Sequence, residues 1–454
     1  MKSVLILAYD FPPFLSVGSL RPYSWYRYLK EYGIEPIVVT RQWSNDYGNE
    51  LDYVAPSKSK NIIVDKTEFG TIIQAPFRPN YSNRLLLKYG ESRYKFIRKL
   101  ISGFFHFVQF SFFVGSKSCI YFSARDYLKN HKVDAIIVTG EPFVLFKYAS
   151  KLSELYNIPW IADYRDTWSQ SLFRSRNIFL LKWNQYFEKK YLKNSACITT
   201  VSDFTKCQIE KLIQKKYISV LINGYNSDIV INTKIDQQDR SKFNLAFIGN
   251  IANYYPISVF FDTLFKFIID HPDYEININF YGINRPEIIK NEMLKYPVLV
   301  NKISIYPKLS NEKLLNHLIN NHCLLLFNDY FVSGTKIYDY LAVKRKILFC
   351  FTNYLDKDLL HKWYDVEIDK NVKFDSYQVQ AKIIEETNSG ILVENSEHLY
   401  ITLQNLYKEF QETGNVKCDS INIEKYSRKV QTQQLAHLIK SIIKIGRASC
   451  RERV

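Results

Sequence analysis

The sequence predicts an α/β protein of two doubly wound domains, and three observations carry that prediction. Short, wholly apolar segments alternate with amphipathic helical patterns along most of the chain, as in parallel sheets covered by helices on both faces. Each half opens in the same way, with an apolar strand, a polar turn-rich loop and then a helix: residues 4–8 lead into Tyr9-Asp10-Phe11-Pro12-Pro13 and Gly18-Ser19, and residues 245–248 lead into Gly249-Asn250. A polar stretch over 226–239 lies between the halves, and 454 residues suffice for two domains of ordinary size.

In the first half, further strands are expected at 37–40, 135–139, 160–162, 198–201 and 220–222. In the second they are expected at 276–281, 303–305, 323–327, 347–350 and 391–393. Helical patterns fill the intervals, for example over 143–155, 203–213, 314–319 and 399–410. A last helix over 426–443 carries an apolar stripe of Leu435, Leu438, Ile442 and Ile443, suited to packing back on the first domain. The expected organisation is therefore a first domain over 1–225, a linker over 226–239, a second domain over 240–425 and a returning helix over 426–444. The final ten residues, 445–454, read IGRASCRERV, resemble a translated sequencing adapter, and are set aside from fold reasoning as a non-native tail.

Composition excludes several classes. With 46% hydrophobic and 23% charged residues the chain can build a large core and is not a disordered protein. The net charge is +16, and the tail carries +2 of it. Such a balance favours anionic partners such as nucleotide phosphates, a polyprenyl phosphate or anionic lipid. Lys and Arg are spread along the chain without a recognition motif, so nucleic acid is not expected. Six cysteines outside the tail (Cys119, Cys197, Cys207, Cys323, Cys350, Cys418) form no CxxC pair, which predicts reduced thiols and no zinc site. Met1 and Lys2 run directly into the first strand, leaving no secretory leader, so a cytoplasmic location is expected. The aromatic run over 104–113, flanked by Arg98, Lys99 and Lys117, is too short to span a bilayer. It reads either as a buried helix or as an interfacial one that brings 104–117 against an anionic membrane.

In doubly wound sheets ligands bind beyond the carboxyl ends of the strands, which directs attention to the loops after Ala8, Thr139, Ala162, Ile248 and Phe327. Gly249 and Asn250 stand where bare backbone N–H groups can approach a phosphate, and Ser333-Gly334-Thr335 precedes another helix with Lys336 as a cation beside it. Asp339, one turn into that helix, can accept the two hydroxyls of a ribose. Gly18 and Ser19 allow the same close approach in the first half, with Arg21 one turn on. Asp163, Arg165 and Asp166 follow an apolar strand directly. They serve either as a catalytic group or as an ion pair that pins a loop.

These segments occur in the order of a known family. Phe11-Pro12-Pro13, Gly18-Ser19-Leu20-Arg21, the block from Ile158-Pro159-Trp160 through Asp163-Tyr164-Arg165-Asp166-Thr167-Trp168, Ile222-Asn223-Gly224-Tyr225, Phe247-Ile248-Gly249-Asn250 and Gly334-Thr335-Lys336 through Asp339-Tyr340-Leu341-Ala342 together resemble retaining glycosyltransferases of the family 4 type. The resemblance implies the GT-B architecture, two Rossmann-like domains facing across a cleft. It further implies transfer of a sugar from a nucleotide sugar to a glycan or polyprenyl-linked glycan in surface-polysaccharide synthesis, without a metal or other cofactor. Donor binding would then fall to Gly18, Ser19, Arg21, Gly249, Asn250, Ser333, Gly334, Thr335, Lys336 and Asp339, and catalysis to Asp163, Arg165 and Asp166. The sequence departs from the family in three places. Phe331 stands where the first of two paired glutamates is usual, with Asp329 as the nearest upstream carboxylate. No Lys or Arg follows the Gly249 loop before Phe265, and no histidine falls in a first-domain loop of the family's kind. Two other readings therefore stay open: a sugar-nucleotide epimerase of the same architecture, and a non-catalytic sugar-nucleotide or glycan-binding protein.

Overall fold

A computed structural model describes residues 1–14, 16–43, 50–170, 177–229, 238–331, 334–354 and 378–451, the side chains of residues 50 and 229 and those beyond 445 excepted. The chain divides into two compact units. Unit 1 comprises residues 1–223 together with 428–454, and unit 2 comprises residues 224–427.

Unit 1 is built on an eight-stranded sheet in the order β3-β4-β2-β1-β5-β6-β7-β8. Its strands are β1 (Lys2–Leu7), β2 (Ile34–Arg41), β3 (Ile63–Lys66), β4 (Thr71–Ala75), β5 (Ala135–Gly140), β6 (Trp160–Tyr164), β7 (Cys197–Thr200) and β8 (Ile218–Val220). Every pairing is parallel except β3 with β4. The helices are α1 (Val17–Tyr28), α2 (Glu50–Val54), α3 (Tyr81–Tyr89), α4 (Lys95–Val108), α5 (Ser118–Asn130), α6 (Val144–Tyr156), α7 (Ile178–Leu192) and α8 (Asp203–Glu210). Alternate residues of the central strands enter two separate cores. Leu5, Leu7, Ile136 and Val138 pack on one face, and Val4, Ile6, Ala135 and Ile137 on the other, as the two-residue side-chain period of a strand requires.

Unit 2 holds a wholly parallel six-stranded sheet in the order β11-β10-β9-β12-β13-β14. The strands are β9 (Phe243–Ile248), β10 (Ile276–Tyr281), β11 (Ile303–Tyr306), β12 (Cys323–Phe327), β13 (Lys346–Cys350) and β14 (Gly390–Val393). They are covered by α9 (Ile257–Asp270), α10 (Pro286–Lys295), α11 (Asn311–Ile319), α12 (Lys336–Val343), α13 (Val379–Thr387) and α14 (Ser396–Thr413). The chain then returns to unit 1 through α15 (Arg428–Arg451), which sets Leu435, Ala436, Ile439, Ile442 and Ile443 into the second core beside Val4, Ile6 and Leu29.

The strand order reverses direction at β1 and β5 in unit 1 and at β9 and β12 in unit 2. A doubly wound sheet opens a crevice for ligands at such a switch point. The α/β class and the two parallel-sheet domains are those the sequence predicts.

Two local expectations are corrected. The β3–β4 hairpin is an antiparallel addition at one sheet edge, where no strand is expected. The sequence reading also ends β6 at residue 162, whereas the strand continues through Asp163 and Tyr164, each in register with β5 and β7. Asp163 is consequently a residue of the buried sheet rather than of a loop.

Candidate functional site

In unit 2, β9 ends at Ile248 and the chain turns at Gly249, whose φ of +71° lies in the left-handed region open to glycine. Tyr340 of α12 holds this turn. Its hydroxyl accepts from the Ile248 N–H at 3.2 Å and donates to the Leu325 carbonyl at 3.0 Å, tying β9 to β12 at their carboxyl ends. Beyond β12, Gly334 also has a positive φ of +62°, and a Cβ there would lie 3.1 Å from an Asp329 carboxylate oxygen. Thr335 then begins α12 without a side-chain cap, so the first N–H groups of that helix keep no side-chain partner at its N-cap.

Lys336 reaches back over the Gly249 turn. Its Nζ donates to the Asn250 carbonyl at 2.5 Å and lies 4.3 Å from the Phe247 ring centroid. Burial lowers its pKa to about 8, with nearby Asp329 opposing the shift. Asp329 accepts hydrogen bonds from the hydroxyls of Tyr255 (2.5 Å) and Tyr254 (3.1 Å), and from Gln380 Nε2 at 3.4 Å. Burial raises its pKa above the ordinary carboxylate value, while Lys336 and these donors counter the rise. Tyr255 is pushed well above the usual phenol value by burial, then by the Asp329 charge. Asp329 and Lys336 are not bonded to each other directly; the Tyr255 hydroxyl stands between them, accepting from Lys336 Nζ at 3.5 Å and donating to Asp329. Asp339 is half-buried in the first turn of α12, and Phe331 is buried. Ser333 lies outside the described residues.

In unit 1, Ser16 caps α1 by accepting from the Ser19 N–H at 3.1 Å, and the Ser19 hydroxyl donates to the Ser16 carbonyl at 2.7 Å. Ser19 is thus sealed into the helix cap at 1% exposure. Gly18 faces Arg165 so closely that a Cβ would fall 1.8 Å from Nη1 and 3.0 Å from an Asp10 carboxylate oxygen. Arg165 is held by the carbonyls of Gly140 (2.9 Å) and Glu141 (3.1 Å). Asp10 accepts from the Ser16 hydroxyl at 3.3 Å, and its second oxygen is buried without a partner. Burial raises the Asp10 pKa, and Arg165 opposes the rise most strongly. Half-buried Lys117 completes this cluster. Desolvation lowers its pKa against the pull of Glu141 and Asp10.

Of the three charges expected to act together after β6, Asp163 lies within the strand, and Arg165 and Asp166 lie beyond its end at Tyr164. Asp163 is fully buried and accepts from Arg21 Nη2 (2.8 Å), Arg21 Nε (3.1 Å) and the Thr199 hydroxyl (2.7 Å). Arg21 is itself 7% exposed and also donates to the carbonyls of Leu221 and Ile222. Both are buried and bonded to each other inside unit 1. Asp166 is exposed. Its loop is fixed from below by buried Glu188, which accepts from the Tyr164 hydroxyl (2.8 Å), the Ser169 N–H (3.1 Å) and Gln170 Nε2 (3.0 Å). Burial raises the Glu188 pKa.

Sequence reasoning thus missed Asp10, Lys117, Glu141, Tyr255, Tyr340 and Gln380 as parts of these clusters. Asp10 carried a usable signal, being a carboxylate two residues past an apolar strand at the switch point. The tyrosines and Gln380 carried none, since their roles come from tertiary packing.

Among the described residues no group of three or more His, Cys, Asp or Glu side chains is arranged to hold a metal ion. The six cysteines are free thiols. The aromatic run is divided: Phe110 is buried on Trp168 and Phe187, while Phe104 and Phe112 are each 62% exposed. Among the described residues no helix is long and apolar enough to cross a membrane.

No model of a known protein family matches the sequence, and comparison with curated proteins finds no match. Solved structures do match over nearly the whole chain. A glycosyltransferase from Rickettsia africae is 15% identical with a TM-score of 0.54, covering 98% of this chain and 99% of its own. HepE of Anabaena in complex with UDP-glucose is 9% identical with a TM-score of 0.55, covering 97% and 100%. Sucrose-phosphate synthase from Thermosynechococcus elongatus is 10% identical with a TM-score of 0.52, covering 99% of each. At these identities the likeness establishes the fold, which is the GT-B arrangement of two Rossmann-like domains.

Proposed function

We propose that this protein is a glycosyltransferase that moves a sugar from a nucleotide-sugar donor to a glycan or lipid-linked glycan acceptor, with retention and without a metal, in surface-polysaccharide synthesis in the cytoplasm. One observation supports this best. At the unit 2 switch point a glycine turn, an uncapped helix start and a cation of lowered pKa converge beside a carboxylate held by tyrosines. A nucleoside diphosphate sugar presents complementary groups. Its diphosphate suits the Gly249 and Asn250 backbone, the α12 start at Gly334 and Thr335, and the Lys336 ammonium. Asp339 is assigned to the ribose hydroxyls. Asp329, two residues before the buried Phe331, is assigned to the sugar hydroxyls in place of the missing glutamate. Charge that develops on the leaving diphosphate is then stabilised by groups already in position, which is the larger part of catalysis in such a step.

In unit 1, the exposed Asp166 and the carbonyl-anchored Arg165 are assigned to the acceptor, with Asp10 as a further carboxylate beside Arg165 and Gly18 kept small by the approach of Arg165. The exposed aromatic and basic surface over 104–117 is assigned to peripheral contact with an anionic membrane, where a lipid-linked acceptor resides. The test is a screen of UDP-, ADP-, GDP- and dTDP-sugars by thermal shift, followed by turnover with nucleotide release and anomeric configuration read by NMR. A rise in melting temperature with release of nucleotide and a retained anomer supports the reading. Binding without turnover on any acceptor makes the protein a sugar-nucleotide binder, and isomerised donor makes it an epimerase.

A further inference from the structure

We infer that a basic recess beside β4, two strands from the β1–β5 crevice, binds the phosphate headgroup of a membrane lipid. The recess has a volume of about 680 Å3 and is formed by the segment after β4, by Lys60 and by one face of α3. Lys60, Arg78, Arg84 and Lys88 all line it, and no acidic side chain does among the described residues. None of the four is paired with a carboxylate among those residues, and Arg84 Nε is instead turned by the Pro79 carbonyl at 3.1 Å. A fifth cation lies behind the wall. Arg41 is wholly buried, its guanidinium stands 3.4 Å from the ring centroid of Phe77, and its donors go to the carbonyls of Tyr53 and Ala55 at 2.7 Å each. Its charge is therefore hydrogen-bonded but not neutralised, and a buried charge is screened far less than a surface one. Five like charges around one recess repel one another, and a bound phosphate offsets that repulsion while accepting paired hydrogen bonds from arginine.

The surroundings select a lipid as the source of the phosphate. A second recess of about 550 Å3 shares Pro76 and Arg78 with the first and is lined by Phe105 of α4 and by Phe122. No residue of α4 is buried, and Phe96, Leu100 and Phe104, spaced four apart on one stripe, are 73%, 59% and 62% exposed. From residue 81 to 126 the sequence carries eight basic residues and two acidic ones, Glu91 and Asp126, and Asp126, which lines the second recess, is paired with Lys129 at 2.8 Å. An apolar stripe with basic flanks beside an uncompensated cationic recess fits acyl chains beside an anionic head. This deepens the membrane contact proposed above and does not depend on the transferase reading.

The experiment measures binding to phosphatidylcholine vesicles with and without phosphatidic acid, and calorimetric titration with soluble dihexanoyl phosphatidic acid and with inorganic phosphate. The wild-type protein should bind the phosphatidic acid vesicles and the soluble lipid. Arg78→Gln with Arg84→Gln should weaken both by about tenfold or more. Lys211→Gln with Lys215→Gln, an equal charge loss on an exposed part of unit 1, should change neither by more than about twofold. Leu100→Ser with Phe104→Ser should lose vesicle binding yet keep the soluble lipid. Equal losses in the two charge variants would reduce the recess to a general field and overturn the proposal. So would inorganic phosphate binding as tightly as the lipid, or the stripe variant binding vesicles like wild type. Melting temperature and donor-induced thermal shift, followed in every variant, separate failure of this site from failure of the transferase reading.

Discussion

Each unit places an aspartate and a cation at the end of its sheet, and the two pairs are built to opposite ends. In unit 1, Asp163 and Arg21 meet at 2.8 Å and almost every polar atom between them is bonded inside the fold. In unit 2, Asp329 and Lys336 flank Tyr255 but bond to tyrosine hydroxyls and a backbone carbonyl rather than to each other. The first arrangement leaves nothing for a ligand to bond. The second leaves a carboxylate and an ammonium whose pKa values burial has already moved toward each other, as at sites that bind or react. An aspartate beside a cation is thus either a closed structural clamp or a pair left open, according to whether the two close upon each other.

Removing half of the clamp should produce the largest effect. Arg21→Ala strands a buried carboxylate and should lower unit 1 stability by about 3–5 kcal/mol. Five of the six tryptophans lie within residues 1–223, so unfolding followed by their fluorescence reports chiefly on that unit. A wild-type midpoint for Arg21→Ala would break the comparison.

The converse holds in unit 2. Lys336→Ala, Asp329→Asn and Asp339→Ala should each weaken donor binding by about 1.5–3 kcal/mol with little change in melting temperature. Calorimetry against the sugar nucleotide found by the screen checks this, and unchanged affinity with a large stability loss would make Asp329 and Lys336 a second clamp.

A smaller effect sharpens the contrast through pH. With a pKa of about 8, Lys336 is charged at neutral pH and loses its proton as pH rises through that value. Donor affinity should therefore fall above pH 8 in the wild-type protein, and Lys336→Arg, charged throughout, should flatten the profile. Asp329 and Tyr255, the titrating groups nearest it, have pKa values raised from the ordinary carboxylate and phenol values, so the profile of an Asp329→Asn variant tells whether either contributes. Asp166→Asn should be the mildest change for the fold, within about 0.5 kcal/mol for an exposed side chain. It should still cut transfer sharply if Asp166 meets the acceptor, and near-normal turnover would remove it from the site.

The fold was legible where burial on both faces writes itself into sequence. The expected strands at 276–281 and 323–327 coincide with β10 and β12: β12 is apolar and buried at every position, and β10 holds its place through Ile276, Ile278, Phe280 and Tyr281 despite the two asparagines between them. The β3–β4 edge was not legible. β3 has no buried residue and carries Asp65 and Lys66, so its pattern reads as a loop. The strand-end loops were sound places to look, yet the residues within them sorted by rules the sequence does not show. Two more residues of β6 turn Asp163 inward. Its partner Arg21 lies 142 positions away, at a distance no local spacing rule reaches. Asp10 stood in a loop already singled out, but its orphaned oxygen is a property of packing.

The return of α15 to unit 1 bears on biosynthesis. Val4, Ile6 and Leu29 share a core with Leu435, Ile439 and Ile442, and the whole of unit 2 is encoded between them. At translation rates of about 5–20 residues per second, the opening strand of the protein waits on the order of tens of seconds for the helix that covers it. During that interval a patch of its core faces solvent and any chaperone near the ribosome, while unit 2, continuous in sequence, can already have folded. A ribosome stalled before residue 435 would therefore present a finished second unit on an unfinished first one.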